Sequence, residues 1–435
     1  MNSISPVSAK NIVWKVALVL IALVYLCNFF TPLRITFDTI RYLRLMEIVD
    51  GNWPARFSSY QDFLPYGYVV ALLVLAKLGI LNSFSIICVH ALFLIGSLYF
   101  IRKIIVSGRH FIWMLIPFLM NWNTLKFLVT PLSEMQFLFL SMACLYYFLQ
   151  YERTGKLWHL ALAVVFCLLG VFTRTAGMSL AAALGITLIL GRRKIIVQWI
   201  KRNRVVTLII AVLLIALAVI QFSSFGVRWY LRDYSGPFAH DPLGVIWKNL
   251  LIHTVEIGEL FINLPIQKVA WSIDPLLATI IYVLAGGLFV VLILQTVLSR
   301  KWNIPLVIRV YMLVFFAMLY VWPMYEVRLW FPIFPLMIWM VVLRLDAVRI
   351  PSPVRWFRNA WIAGYIITGA FSLAYYTWVS FTKTAMADRH DNGYWSKEYR
   401  SHFFGEPYDP AAGHDQRALY FMEKYDASRS ADAKR

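Results

Sequence analysis

Apolar runs of bilayer length recur along this chain, and no other feature restricts its fold as much. Residues 14–30, 84–101, 111–128, 132–150, 158–173, 175–191, 205–222, 275–298, 304–322, 329–343 and 359–379 are apolar, and clusters of charge separate them. A helix of about 20 apolar residues crosses a hydrocarbon layer about 30 Å thick. A soluble core could bury as much apolar surface, but it would not space charge clusters this way. With 60% hydrophobic and 14% charged residues, the expected fold is an all-α polytopic membrane protein with about eleven transmembrane helices.

Charge asymmetry gives the expected orientation. Lys10 and Lys15 precede the first run, which continues to Phe30 without a small-x-small cleavage site, so it reads as a retained first helix. With the N-terminus inside, the inside loops hold nineteen lysines and arginines against two acids, Glu152 and Asp346. The three long outside stretches are nearly neutral: 31–83 has five bases and four acids, 223–273 has four of each, and 380–435 has nine of each. The positive-inside rule then puts the N-terminus in the cytoplasm and the C-terminus outside it. Counting Tyr66 to Ile80 as a span would carry Arg102, Lys103 and Arg109 outside. That stretch is therefore expected in the outer interface or as a shallow re-entrant helix, with Lys77 snorkelling. The formal charge of +19 is thus a topology signal, and a nucleic-acid partner is not expected. Cys27, Cys88, Cys144 and Cys167 all fall in apolar runs and read as packing residues. The chain lacks an Asn-x-Ser/Thr site, which favours a bacterial inner membrane.

Four polar features fall on the outer face of this topology. In the first, Asp38, Arg41, Tyr42 and Leu45 follow helical spacing behind Thr36, so carboxylate, guanidinium and phenol share one face. Asp38 either favours that helix start, with Thr36 as its cap, or works in a site. Asp62, Pro65, Tyr66, Gly67 and Tyr68 lead into the interfacial stretch. In the second, Glu134 begins a span after Pro131, either serving the helix dipole or acting as a functional carboxylate, with Lys126 as its expected partner. In the third, Arg174 sits in a tight turn, placed to meet lipid phosphates or a substrate. In the fourth, Tyr325, Glu326 and Arg328 end a proline-containing segment, where the last two either neutralise each other or bind an anion. Carboxylates beside arginines suit deprotonation of an alcohol while cations steady a departing phosphate.

These residues resemble the GT-C superfamily of membrane glycosyltransferases, which includes the protein O-mannosyltransferases and the lipid A aminoarabinose transferases. The resemblance rests on Phe37-Asp38-Thr-Ile-Arg-Tyr42-Leu, Pro65-Tyr-Gly67-Tyr, Ser133-Glu134, Thr173-Arg174-Thr-Ala-Gly177 and Glu326-Val-Arg328-Leu-Trp-Phe-Pro332-Ile-Phe-Pro335. It covers most of residues 14 to 345. It implies a catalytic region over 1–345 with outer loops 31–83 and 223–273, a last membrane segment over 346–379, and an extracytoplasmic tail over 380–435. The implied reaction moves a sugar from a polyprenyl-phosphate donor to a lipid, glycan or protein acceptor, with inversion. Asp38 would be the general base and Glu134 the second catalytic acid position, with Arg174 and Arg328 facing the lipid phosphate. Arg41, Tyr42, Asp62, Tyr66, Tyr68, Lys126, Tyr325 and Glu326 complete the expected substrate-binding set. Tyr42, Trp53, Tyr66 and Tyr68 are candidates for stacking on sugars, and Trp229, Tyr230, Trp395, His402 and His414 for shaping acceptor binding. Asp38-Thr39 stands where many relatives pair two acids, so no cofactor is expected and a divalent metal is not favoured. A lipid-linked glycan polymerase or ligase, and a lipid-glycan transporter or flippase, are the alternatives.

Overall fold

The computed structural model describes residues 6–57, 62, 64–202, 235, 238–322, 324–347, 352–407 and 415–428. Every regular element among them is helical. The first half runs α1 (Pro6–Cys27), α2 (Phe37–Asp50), α3 (Gly67–Lys77), α4 (Ser83–Ile104), α5 (Gly108–Met120), α6 (Trp122–Val129), α7 (Glu134–Thr154), α8 (Leu157–Thr173) and α9 (Gly177–Arg202). The second half runs α10 (Pro242–Ile262), α11 (Ile266–Ala270), α12 (Pro275–Leu298), α13 (Leu306–Tyr320), a 3-10 turn (Val327–Ile333), α14 (Phe334–Ala347) and α15 (Ser352–Phe381). The tail adds α16 (Lys383–Arg389), α17 (Ser396–Phe404) and α18 (Gln416–Tyr425).

Among the described residues, four helical segments are long and apolar enough to cross a membrane: Ser83–Ile104, Pro275–Leu298, Val327–Asp346 and Arg358–Phe381. A fifth arises if α5 and α6, bent by 64° at Asn121, form one span. The other expected spans fall on helices too, except 205–222, which lies outside the described residues together with Trp229, Tyr230 and His414. Trp14–Phe30, Leu157–Thr173, Gly177–Gly191 and Leu306–Tyr320 are shorter apolar helices. Among the described residues, fewer helices than the expected eleven therefore meet the length and hydropathy of a span. The stretch from Tyr66 to Ile80 contains the eleven-residue helix α3, about 16 Å long and half the thickness of the apolar layer. Its Lys77 pairs with Asp50 at 2.5 Å, at the end of α2.

Side-chain amides hold the α5–α6 bend. The Trp122 amide donates to Asn263 Oδ1 and Asn263 Nδ2 donates to the Met120 carbonyl, so one side chain replaces the interrupted helix bonds. Asn121 caps α6 and donates to the Leu260 carbonyl and the Tyr365 hydroxyl. Asn263 is itself the left-handed C-cap of α10, with φ 65°. The region read as a polar loop over 223–273 thus contains a 21-residue helix that docks along α12 and supports the bend. Gly258 and Gly286 allow this approach: a Cβ at either would run into the other helix's carbonyl oxygen, Tyr282 O or Thr254 O.

Candidate functional site

The sequence around Asp38 folds as its spacing suggests. Thr36 caps α2, its hydroxyl accepting from the Thr39 amide, and Gly51 ends the helix at φ 79°. That start places Asp38 and Arg41 in the wall of a cavity of about 810 Å³. Tyr42, Lys126, Arg174, Tyr325, Glu326 and Arg328 line the same cavity. Features far apart in the chain are thereby brought to one place.

Their charges alternate. Asp38 Oδ1 accepts from Arg41 at 2.8 Å and Oδ2 pairs with Arg328 at 2.6 Å. Arg328 also meets Glu326 and lies 3.8 Å from Glu134. Glu134 pairs with Arg174 at 2.5 Å, and Arg174 also donates to the Ser133 hydroxyl, which accepts from Tyr42. Behind Asp38, Arg41 and Arg44 both bind Asp62, at 2.5 and 2.7 Å. Burial would raise the Asp38 carboxyl, but Arg328 and Arg41 outweigh it and hold Asp38 below its ordinary range. Burial pushes the Tyr42 phenol upward, which keeps it a hydrogen-bond donor.

Several expected site residues stand elsewhere. Glu134 sits behind the cavity wall, 1% exposed, and its partner is Arg174. The expected partner Lys126 instead lies over the Trp122 ring, 5.4 Å from its centroid. Asp62 is equally buried and clamps two arginines from behind, so it orients the site without facing the cavity. Tyr66 is an exposed residue at the start of α3. Tyr68 is buried: its ring packs edge-on to Tyr42, and its hydroxyl donates to His90, whose other nitrogen donates to the Leu128 carbonyl. Trp53 packs on Phe421, and Trp395 packs on Phe37. His402 forms a buried pair with Asp426.

Two walls of this cavity come from the stretch 223–273 and the tail, both expected to shape acceptor binding, through residues that the sequence did not single out. One is α10, which contributes Glu256 and Glu259; the other is the tail, which contributes Asp391 and Asn392. Asn249, His253, Glu256 and Asn263 are polar, buried and close to helical spacing within an apolar stretch, a signal that the loop assignment passed over. Asp391 and Asn392 hold left-handed conformations, φ 49° and 55°. The tail also grips the segment before Asp38. His390 Nε2 donates to the Ile35 carbonyl while Nδ1 accepts from Arg34, and burial with Arg34 beside it lowers this imidazole to about 3, leaving it neutral. Tyr399 donates to the Leu33 carbonyl and accepts from the Ile35 amide.

Among the described residues, no group of three or more His, Cys, Asp or Glu side chains is arranged to hold a metal ion. Comparison with protein-family models, with curated proteins and with solved structures finds no match for this chain. The likeness to the GT-C superfamily therefore stands on the motifs alone.

Proposed function

We propose that this chain is an integral membrane glycosyltransferase that moves a sugar from a polyprenyl-phosphate donor to a lipid, glycan or protein acceptor. The observation that carries the reading is Asp38 lying between Arg41 and Arg328 in a large cavity shared with Arg174. In the resting network Asp38 is too well neutralised to be a strong base. A donor phosphate competes for Arg328 and Arg174, and once it draws Arg328 away the basicity of Asp38 rises. Asp38 then takes the acceptor hydroxyl proton as that oxygen bonds to the anomeric carbon. The bond from that carbon to the phosphate oxygen breaks, and its electron pair leaves with a phosphate steadied by the arginines. Single displacement inverts the sugar. No step is routed through a metal, and the partners are the lipid-linked donor, the acceptor and membrane lipids.

On this reading the chain has about eleven spans in a bacterial inner membrane, with the N-terminus cytoplasmic and the cavity and tail outside. Support comes from the basic inside loops and from the near-neutral stretches that build the cavity. The test is transfer of radiolabelled sugar from a panel of polyprenyl-phosphate sugars in proteoliposomes, wild type against Asp38→Asn. Loss of a general base lowers turnover by about 10²- to 10⁴-fold. Full activity in Asp38→Asn would remove Asp38 from the role, and no consumption of any donor by wild type would sink the transferase reading.

A further inference from the structure

The cavity has a second chemical end, on α10. His253 Nε2 lies 3.0 Å from the Trp322 carbonyl oxygen, and its Nδ1 lies 2.7 Å from Glu256 Oε2. A carbonyl can only accept, so Nε2 carries a hydrogen, and the short contact to Glu256 requires another proton between the two side chains. Trp330 Nε1 donates to the same Glu256 oxygen at 2.9 Å. Oε1, the other oxygen of this 5% exposed residue, has no hydrogen-bond partner among the described residues, although Glu256 lines the cavity. A buried acceptor left open in a site calls for a donor. One helical turn on, Glu259 also lines the cavity, and its Oε1 accepts from the Ile266 amide at 2.5 Å.

The 3-10 turn Val327–Ile333 links the two ends, because it supplies both Arg328 to the ionic network and Trp330 to Glu256. A ligand that spans the cavity from Arg328 meets α10 with its other end. An anionic group there would meet the oxygens of Glu256 and Glu259, which disfavours it above neutral pH, where Glu259 is ionised. Lys126 in the same cavity disfavours a cation and leaves a neutral group presenting hydroxyl hydrogens, which carboxylate oxygens accept well. Aromatic surfaces lie beside them in Trp322, Tyr325 and Trp122.

We propose that the α10 wall, through Glu256 and Glu259, is a recognition subsite for a neutral, hydroxyl-bearing sugar ring and that it discriminates against uronic acids. The identification of that ring as the donor's glycosyl group rests on the transferase reading; the subsite itself does not. Burial pushes Glu259 up to about 7, against the stabilising Ile266 amide, with Glu256 on its own helix and Lys126 across the cavity. Tyr282 of α12 is the other titratable group facing it. Above neutral pH Glu259 is ionised and accepts hydrogen bonds in full.

The experiment is saturation-transfer NMR at pH 8 on the full chain in nanodiscs, with methyl glucoside, methyl glucuronide and farnesyl phosphate as separate probes. Wild type is expected to bind the glucoside and to disfavour the glucuronide. Glu256→Gln and Glu259→Gln should each weaken glucoside binding about tenfold, the loss of a hydrogen bond to a charged group, and leave farnesyl phosphate within about twofold. Glu259→Gln leaves the His253–Glu256 pair in place, so it answers even where Glu256→Gln disturbs folding. Absence of glucoside binding by wild type overturns the proposal, as does equal binding of glucoside and glucuronide. Unchanged glucoside binding in both variants, or joint loss of both glucoside and farnesyl phosphate in both, overturns it too. No turnover is needed, so a failed transfer assay counts only against the transferase reading.

Discussion

At the residue scale, the site is governed by which charge neutralises which. Glu134 is 1% exposed and its short contact is to Arg174. Arg328, 3.8 Å from Glu134, retains part of the pairing, so Arg174→Gln should destabilise the fold by less than the penalty of about 3–5 kcal/mol for a fully stranded buried charge. Adding Glu134→Gln should recover most of that loss, and a double-mutant cycle read by thermal denaturation in detergent checks both. Asp38 and Glu259, both outside the spans, have opposite linkage. Asp38 is depressed, so its stabilising contribution is complete above its ordinary range and disappears only as pH falls into acid. Glu259 is raised from 4.5 to about 7, so the folded state holds its proton more tightly, and this term loses stability as pH rises through that window. The melting temperature of wild type should decline more from pH 5 to 7 than that of Glu259→Gln, with a slope difference of at most about 1.4 kcal/mol per pH unit. Parallel curves would show that Glu259 titrates as an ordinary carboxylate. The paired roles of Asp38 and Arg41 were legible from helical spacing. The identity of Glu134's partner was not, because Arg174 reaches it across 40 residues of chain and only packing decides between Arg174 and Lys126.

At the element scale, α2 could be read from Thr36, the Asp38-to-Leu45 spacing and Gly51, all local signals. By contrast α10 was obscured, because Lys248, Asn249, His253, Glu256 and Glu259 dilute its hydropathy and make it resemble a polar loop, and only the helical spacing of its polar residues marks it. Its apolar side faces α12, where Gly258 and Gly286 let the backbones touch. Gly258→Ala should push the helices apart, lowering the melting temperature and weakening glucoside binding together, because Glu256 and Glu259 move with the backbone. Gly287→Ala, on α12 next to Gly286 but with open space around its Cβ, should leave glucoside binding unchanged and should not lower the melting temperature. An equal response in the two variants would mean that replacing a helical glycine as such, not the close approach, is at work.

At the scale of the whole molecule, the tail is a structural part of the cavity wall. Tyr399 joins Leu33 and Ile35, the residues leading to Asp38, through one hydroxyl. Tyr399→Phe removes that hydroxyl and leaves two buried backbone groups unpaired, at a cost of about 1–3 kcal/mol. Transfer activity should fall more steeply with temperature in this variant, measured as the ratio of rates at two temperatures below its melting point. Hydropathy and charge bias made the all-helical membrane class legible, but they count apolar runs without regard to length once folded. Breaks such as the one at Asn121 turn a single run into two helices, and their amide bridges come from residues more than a hundred positions away. That bend carries Trp122, Asn123 and Lys126, all cavity-lining, on the short arm of a segment whose long arm is apolar. On the proposed reading, the polar chamber is sunk partly into the oily layer, and a lipid-borne substrate slides in from the side. Its rate law is then two-dimensional: what the enzyme senses is mole fraction in the bilayer, so diluting a fixed amount of donor with inert lipid should slow transfer in proportion, while adding buffer should leave it unchanged.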